Sequence, residues 1–410
     1  MHPVIVICIS AFLPCIWAQT NNVCKTIEDY KSMEGNPNCR FDFYVNSTVP
    51  EIIRQTGRPL EIHHVTTEDG HILTVFRMPN NKRKNPIFLQ HGLITTSANW
   101  ISLGDDSLAF QLFDNGYDVW LGNYRGNHYS PDHVRYSIND KEFWNHCLDE
   151  ISLFDIPAML KLVARETQGQ GKIVYIGHSL GTTLALMYTS DKVEEATKLM
   201  KMQILTAPAA TLGNIRAVIR FAVPFTDLIY NTVNQIEGLS NIISKEDTTK
   251  ALLRTLCMDS PEMMGQCMNM LFLIYGPKTG VYPEKYPMYF QQHPAGTAFK
   301  VLKQCGDMAR NRFRKFDYGF AENMRRYGTS TPPIYDLSKI RVPTIVIMAR
   351  NDWLTPKEDA IKLYRNLSPE FRRGLFEITE ENFNHIDFMF GAKAKSLYVD
   401  KVLILLEKYT

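Results

Sequence analysis

A serine hydroxyl becomes a useful nucleophile only when a neighbouring base takes its proton, and the base in turn needs a third polar group to orient it. The stretch Lys172-Ile173-Val174-Tyr175-Ile176-Gly177-His178-Ser179-Leu180-Gly181 offers such a serine. Its β-branched and aromatic run reads as a buried strand. Gly-x-Ser-x-Gly follows, and Thr182-Thr183-Leu184-Ala185-Leu186-Met187-Tyr188 reads as a helix. Strand, sharp turn and helix are the context in which this pattern is a nucleophile elbow, with Ser179 strained at the tip and its hydroxyl clear of the sheet. The flanking glycines are expected because so sharp a turn leaves no room for a Cβ on either side. Alone, the five-residue pattern is common, so the strand before it and the helix after it carry the inference.

The partners follow from chain order, since one recurrent arrangement runs nucleophile, acid, histidine. Asp352 lies in Ala349-Arg350-Asn351-Asp352, just past the apolar run Thr344-Ile345-Val346-Ile347-Met348, and loops past strand ends are where site residues gather. His385, in Asn382-Phe383-Asn384-His385-Ile386-Asp387-Phe388, is the one histidine after His293 and therefore the candidate base. Asp387 reads as a helix cap, because an acid two residues from the histidine is poorly placed to reach its Nδ1. Acyl transfer also needs donors for a developing oxyanion. The backbone N–H of Leu180, after the nucleophile, supplies one. Leu93 N–H, at the end of Leu89-Gln90-His91-Gly92-Leu93, supplies the other, with Gly92 allowing close approach. His91 precedes the elbow by a whole strand–helix unit and reads as structural, and His178 reads as packed support.

Around these residues, apolar strands alternate with helical segments. A hairpin is expected over residues 61–77, turning at Glu68-Asp69-Gly70. Further strands are expected at 86–90, 117–121, 172–178, 202–206 and 343–348, with helices at 107–115, 141–166 and 393–407. That rhythm predicts an α/β fold with a mostly parallel sheet covered on both faces. Between about residues 209 and 338 the rhythm stops. This stretch is helical in flavour, rich in Met and aromatics, and reads as an inserted cap whose apolar residues 215–230 either form cap core or line an acyl pocket and meet lipid.

The chain has 410 residues, 45% hydrophobic and 21% charged, which is ordinary for a globular protein. Lys+Arg of 45 against Asp+Glu of 43 leaves +2 and gives no reason to propose a nucleic-acid partner. The apolar residues 4–13, ending near Trp17-Ala18-Gln19, are short for a membrane span and read as a secretory signal over residues 1–18; no other run is long enough to span. Export makes disulfides available. Cys257 with Cys267 is one local pairing; Cys24 with Cys39 is another, left open by the residues, while Cys147 falls in a helical pattern and reads as a buried thiol. No metal-ligand cluster and no cofactor motif is present. Asn46-Ser47-Thr48 and Asn366-Leu367-Ser368 are glycosylation acceptors, the second weakened by Pro369.

The chain resembles the acid lipase family, the gastric and lysosomal acid lipases and their insect relatives. The resemblance rests on blocks in order along most of its length. They include Thr67-Glu68-Asp69-Gly70, Phe88-Leu89-Gln90-His91-Gly92-Leu93, Gly116-Tyr117-Asp118-Val119-Trp120-Leu121-Gly122-Asn123, Gly177-His178-Ser179, Pro294-Ala295-Gly296-Thr297 and Asn384-His385-Ile386-Asp387-Phe388. The resemblance implies an α/β-hydrolase core (residues 19–208 and 339–410) interrupted by a cap with a mobile lid (209–338). It also implies a cap disulfide falling on Cys257 and Cys267, and hydrolysis of acylglycerols or sterol esters, in a secreted or lysosomal setting. The sequence departs from the family at Leu180, where glutamine is usual, at Tyr124, which stands for a small residue, and at Cys147, which stands for serine.

The reading is thus a serine ester hydrolase with the triad Ser179, His385 and Asp352, acting without a cofactor on a lipid ester at an oil–water or membrane interface. Two others share the fold: a non-catalytic lipid carrier, favoured by Leu180, and a peptidase, which would use the same triad. An epoxide hydrolase or dehalogenase is excluded, because its elbow carries a carboxylate.

Overall fold

The computed structural model describes residues 20–82, 84–168, 171–235, 251–252, 255–258 and 260–410. The expected leader over residues 1–18 lies outside the described residues, as does part of the expected cap. The strands are β1 (Val23–Cys24), β2 (Cys39–Arg40), β3 (Glu61–Thr66), β4 (His71–Met78), β5 (Ile87–Gln90), β6 (Val119–Gly122), β7 (Asp132–His133), β8 (Ile173–His178), β9 (Met200–Thr206), β10 (Thr344–Ala349) and β11 (Arg372–Ile378). β1 and β2 form a small antiparallel pair stapled by the Cys24–Cys39 disulfide. The other strands form one nine-stranded sheet in the order β11-β10-β9-β8-β5-β6-β4-β3, with β7 added to β4.

From β11 to β6 every pairing is parallel, and the hairpin β3–β4 closes one edge antiparallel. Every residue of β5, β6, β8 and β10 is buried, the signature of a sheet packed on both sides. Alternate residues divide accordingly. Ile87, Leu89, Leu121, Ile176 and Ile345 join one core with helices α1 (Val49–Gln55) and α2 (Leu108–Asp114). Phe88, Trp120, Tyr175, Leu205 and Val346 join the other with α3 (Ile156–Glu166) and α4 (Leu180–Asp191). Between β9 and β10 the regular elements of the described residues are mainly helices, among them α5 (Thr226–Gln235), α6 (Pro261–Tyr275) and α7 (Phe299–Ala309). The isolated bridge Arg314–Ile334 is the extended pairing described there. α8 (Lys357–Asn366) and α9 (Asp400–Tyr409) complete the two faces.

Three expectations change. The polar, mixed residues 19–55 read in the sequence as an extension packed on the surface, but Val49, Ile52 and Ile53 share one face of α1 and are fully buried. The helix expected from residue 141 begins only at Leu148. Cys147 caps it instead of lying within it, donating its backbone N–H to Glu150 (2.7 Å), and its thiol is free and buried. β11 was not foreseen; it is a half-buried edge strand whose Arg372, Arg373 and Glu377 hide the usual alternation.

Candidate active site

The order of strands reverses between β5 and β8: the chain leaves β5 toward β6 and returns to β8 on the other side. Loops leaving the carboxyl ends of strands at such a point diverge and open a crevice. The loop after β5 carries His91-Gly92-Leu93, and β8 runs directly into Ser179.

Ser179 has φ 53° and ψ −121°, a backbone conformation that non-glycine residues rarely adopt and that costs of the order of 1–3 kcal/mol. The turn is held by Ser179 N–H to Thr206 O (3.0 Å) and by the Thr182 hydroxyl to Ser179 O (2.6 Å). The elbow glycines are required by proximity, not by unusual torsions. A Cβ on Gly181 would lie 2.3 Å from Gln90 O, and one on Gly177 would lie 2.8 Å from Gly181 C. Gly92 is similarly pressed, since a Cβ there would meet Ser179 Cβ at 3.1 Å.

Asp352 sits three residues beyond β10. Its Oδ1 accepts the backbone N–H groups of Leu354 (2.9 Å) and Thr355 (2.7 Å). Its Oδ2 accepts the Thr355 hydroxyl (2.7 Å) and faces His385 Nδ1 at 2.8 Å. His385 follows β11 in a loop fixed by Asn384, whose side-chain amide donates to Gly276 O and Lys278 O. The ring of Tyr275, at the end of α6, stacks on the imidazole (5.6 Å, 9°), and His178 packs against it from the elbow side (4.9 Å). The Asp352 loop is also gripped by the helical stretch. Arg216 and Ala217 N–H both donate to Trp353 O, Trp353 N–H donates to Tyr275 O, and Asn351 donates to Lys278 O.

Of the expected triad, Asp352 and His385 are in direct contact, while Ser179 lines, with Leu93, Leu180, Leu354 and Thr355, one cavity of about 400 Å³. Leu212, Ile215, Ile219, Val223, Phe299, Leu302 and Met308 make its wall almost wholly apolar. Thr355, Tyr275 and Tyr124 were not foreseen as site residues. His91 is fully buried, stacked on Tyr124 (4.3 Å), and burial pushes its imidazole down to about 3, which fits a neutral structural ring. Burial likewise holds His178 well below the ordinary histidine range. Asp387 is a tie, not a triad acid, accepting from Asn384 N–H, Thr279 Oγ1 and Gly280 N–H. The expected Cys257–Cys267 disulfide is formed, and so is the Cys24–Cys39 pairing that the sequence left open. Among the described residues no cluster suited to a metal ion occurs, and no helix is long and apolar enough to cross a membrane.

Comparison with known proteins decides the family. A model of the alpha/beta hydrolase fold matches residues 85–392, and one of a partial alpha/beta-hydrolase lipase region matches residues 49–104. Lipase 3 of Drosophila melanogaster is 33% identical over 374 residues, covering 88% of this chain and 92% of that protein. The gastric triacylglycerol lipase of Bos taurus is 33% identical over 382 residues, covering 87% and 90%. The chain belongs to the acid lipase family. As a member it is a carboxylic ester hydrolase. The fold is shared more widely. A soluble variant of monoglyceride lipase from Saccharomyces cerevisiae superposes with a TM-score of 0.52 at 12% identity, covering 90% of this chain and 99% of that one. A putative lipase from Acinetobacter baumannii gives 0.51 at 14%, covering 90% and 98%.

Proposed function

We propose that this acid lipase cleaves long-chain fatty-acid esters, such as triacylglycerols or sterol esters, through an acyl-enzyme on Ser179. Ser179 Oγ attacks the ester carbonyl as His385 Nε2 takes its proton, and the carbonyl π electrons move onto oxygen. Leu93 and Leu180 N–H stabilise that oxyanion, a donor of this kind contributing about 10²- to 10³-fold in turnover. The oxyanion collapses, the C–O bond to the alcohol breaks, and His385 passes its proton to the departing alkoxide. Water, deprotonated by the same histidine, then attacks the acyl-enzyme, the second oxyanion collapses with cleavage of the bond from the acyl carbon to Ser179 Oγ, and His385 returns its proton to Oγ as the acid leaves. Asp352 accepts from Nδ1 throughout and balances the imidazolium charge.

The observation that carries the reading is the 2.8 Å contact of His385 Nδ1 with Asp352, together with a serine held at φ 53° that lines an apolar cavity. That wall favours a long acyl chain over a short soluble one. Val218, Ile219, Phe221, Phe225 and Leu228 are exposed and Ile219 also lines that cavity, apolar surface of a kind suited to an oil–water or membrane interface. In this reading residues 209–338 are a cap and lid over a core made of residues 19–208 and 339–410. Residues 1–18 are a leader directing the chain to secretion or the lysosome, and the exposed Asn46 and Asn366 are glycan acceptors.

Labelling by a fluorophosphonate, with Ser179→Ala as control, tests the nucleophile. An unlabelled wild type would favour a lipid carrier. Profiling triacylglycerols, sterol esters and an amide of the same acid, at acid and neutral pH, tests the substrate. Equal turnover of tributyrin and triolein removes the long-chain claim, and preference for the amide would point to a peptidase.

A further inference from the structure

The carbonyl of Gly92 and the N–H of Leu93 belong to one peptide group. A planar trans peptide points its N–H opposite to its C=O, so whatever holds the oxygen aims the hydrogen. The Gly92 oxygen is held firmly. The Tyr124 hydroxyl donates to it at 2.7 Å, the Thr95 hydroxyl donates at 3.1 Å, and His91 Nδ1 lies 3.0 Å away. Tyr124 is itself rigid, 1% exposed, with its ring stacked on His91, whose far nitrogen meets Asn127 Nδ2 at 3.2 Å. Its chain neighbours are pinned too. Asn123 Oδ1 accepts Ser97 N–H (3.0 Å), and Arg125 forks onto Asp69 and Asp155. On the other side of the peptide, Ile94 stands at φ 51° and accepts Ala295 N–H (2.7 Å). A β-branched residue keeps such a torsion only where its surroundings over-determine it.

We propose that Tyr124 is a positioning residue for ester hydrolysis: its buried hydroxyl fixes and polarises the Gly92–Leu93 peptide from behind, so that Leu93 N–H meets the oxyanion already aligned. A hydrogen bond accepted by a carbonyl strengthens the donor on the other side of the same amide, because the two dipoles polarise together. Alignment in advance is what makes such a donor effective, since nothing has to reorganise as charge develops. The role acts through Leu93 and rests on the assignment of that N–H to the oxyanion.

Tyr124→Phe removes the hydroxyl and keeps the ring on His91. The expected result is a fall in kcat of roughly five- to tenfold, with KM held within about twofold. A merely structural role would not move two further readouts. Oxyanion donors act weakly on a thionoester, so the preference for the oxoester over its thiono analogue shrinks by about the same factor as kcat. Binding of a trifluoromethyl ketone, which forms the tetrahedral oxyanion, weakens in step. Thr95→Val, which removes the second hydroxyl from the same carbonyl, shifts these readouts in the same direction and stands in if the first variant fails to fold. Tyr188→Phe deletes a buried hydroxyl bound to Glu195 (3.0 Å), remote from the site, and leaves all of them unchanged. Unchanged kcat in Tyr124→Phe, or equal losses on oxoester and thionoester, overturns the role of Tyr124 while Ser179-dependent turnover of the wild type leaves the hydrolase reading intact. A wild type with no Ser179-dependent turnover overturns both.

Discussion

Replacing Asp352 with asparagine tests the triad through proton placement instead of charge alone. Leu354 N–H and Thr355 N–H converge on Oδ1 at 2.9 and 2.7 Å. In the variant the amide oxygen must take that place, because an NH₂ there would face two donors. The new NH₂ is then directed at Thr355 Oγ1 and at His385 Nδ1, the partners of Oδ2 in the native chain. A donor opposite Nδ1 makes the imidazole accept there and carry its hydrogen on Nε2, the atom that has to take the Ser179 proton. The same change in a serine-protease triad costs about 10⁴ in kcat by this route, equivalent to about 5 kcal/mol of barrier. A loss of about 10³- to 10⁴-fold is expected here, because the oxygen is locked by two backbone donors and the flip that would relieve the conflict is blocked. Initial rates on a p-nitrophenyl ester and fluorophosphonate labelling measure it. Nitrogen NMR of the imidazole should find its hydrogen on Nε2, and circular dichroism checks the fold. Activity within about tenfold of wild type, in a folded variant, would refute the assignment of Asp352.

Three further outcomes follow from the geometry. Gly181→Ala puts a methyl 2.3 Å from Gln90 O and 2.8 Å from His91 O, both backbone atoms, so the elbow must move. A loss of at least about 10²-fold in kcat/KM is expected, with a lowered Tm, by kinetics and calorimetry. Leu302→Trp, on the wall of the 400 Å³ cavity, should depress turnover of a long-chain ester about tenfold more than that of a butyrate, read as a ratio of kcat/KM values. Acidification should destabilise the fold through its neutral buried histidines. His146 is held well below the ordinary range, chiefly by burial, so between that range and its lower folded value the unfolded chain binds the extra proton and stability falls with falling pH. From about pH 7.5 to about pH 5 one such group can contribute at most ~2 kcal/mol. Urea unfolding at both pH values should therefore show His146→Phe losing less stability on acidification than wild type, by up to ~2 kcal/mol, whatever its starting stability.

Much of the candidate site's placement was legible because its pattern is written locally. Gly177-His178-Ser179-Leu180-Gly181 sits between an all-buried strand and an all-buried helix segment, and Asp352 and His385 occupy loops whose order in the chain is restrictive. The central strands were legible for the same reason: burial on both faces leaves unbroken apolar runs. What stayed hidden depends on partners far along the chain. Tyr124 acquires meaning only from a carbonyl 32 positions away, and Thr355, though bonded to Asp352 nearby, meets the imidazole 30 positions away. The edge strand β11 lacked a signal because one side of it meets water, and the start of the helix at Leu148 was obscured because Phe143 and Trp144 are buried as a turn, with Trp144 Nε1 donating to Ile138 O. The glycines of the elbow were foreseen for the right positions, yet the close approach of Gln90 O to Gly181 could not be read from one strand alone.

The backbone of Trp353 is clasped from two directions, by residues 216–217 before the long helical stretch has run its course and by Tyr275 midway through it. Excising that stretch to obtain a stripped-down catalyst would leave the residue next to the acid with both its backbone donor and its backbone acceptor stranded and would strip the imidazole of its aromatic backing. Designers seeking a smaller version of this enzyme should trim elsewhere, for the piece that looks like an ornament on the barrel of the reaction is part of its frame.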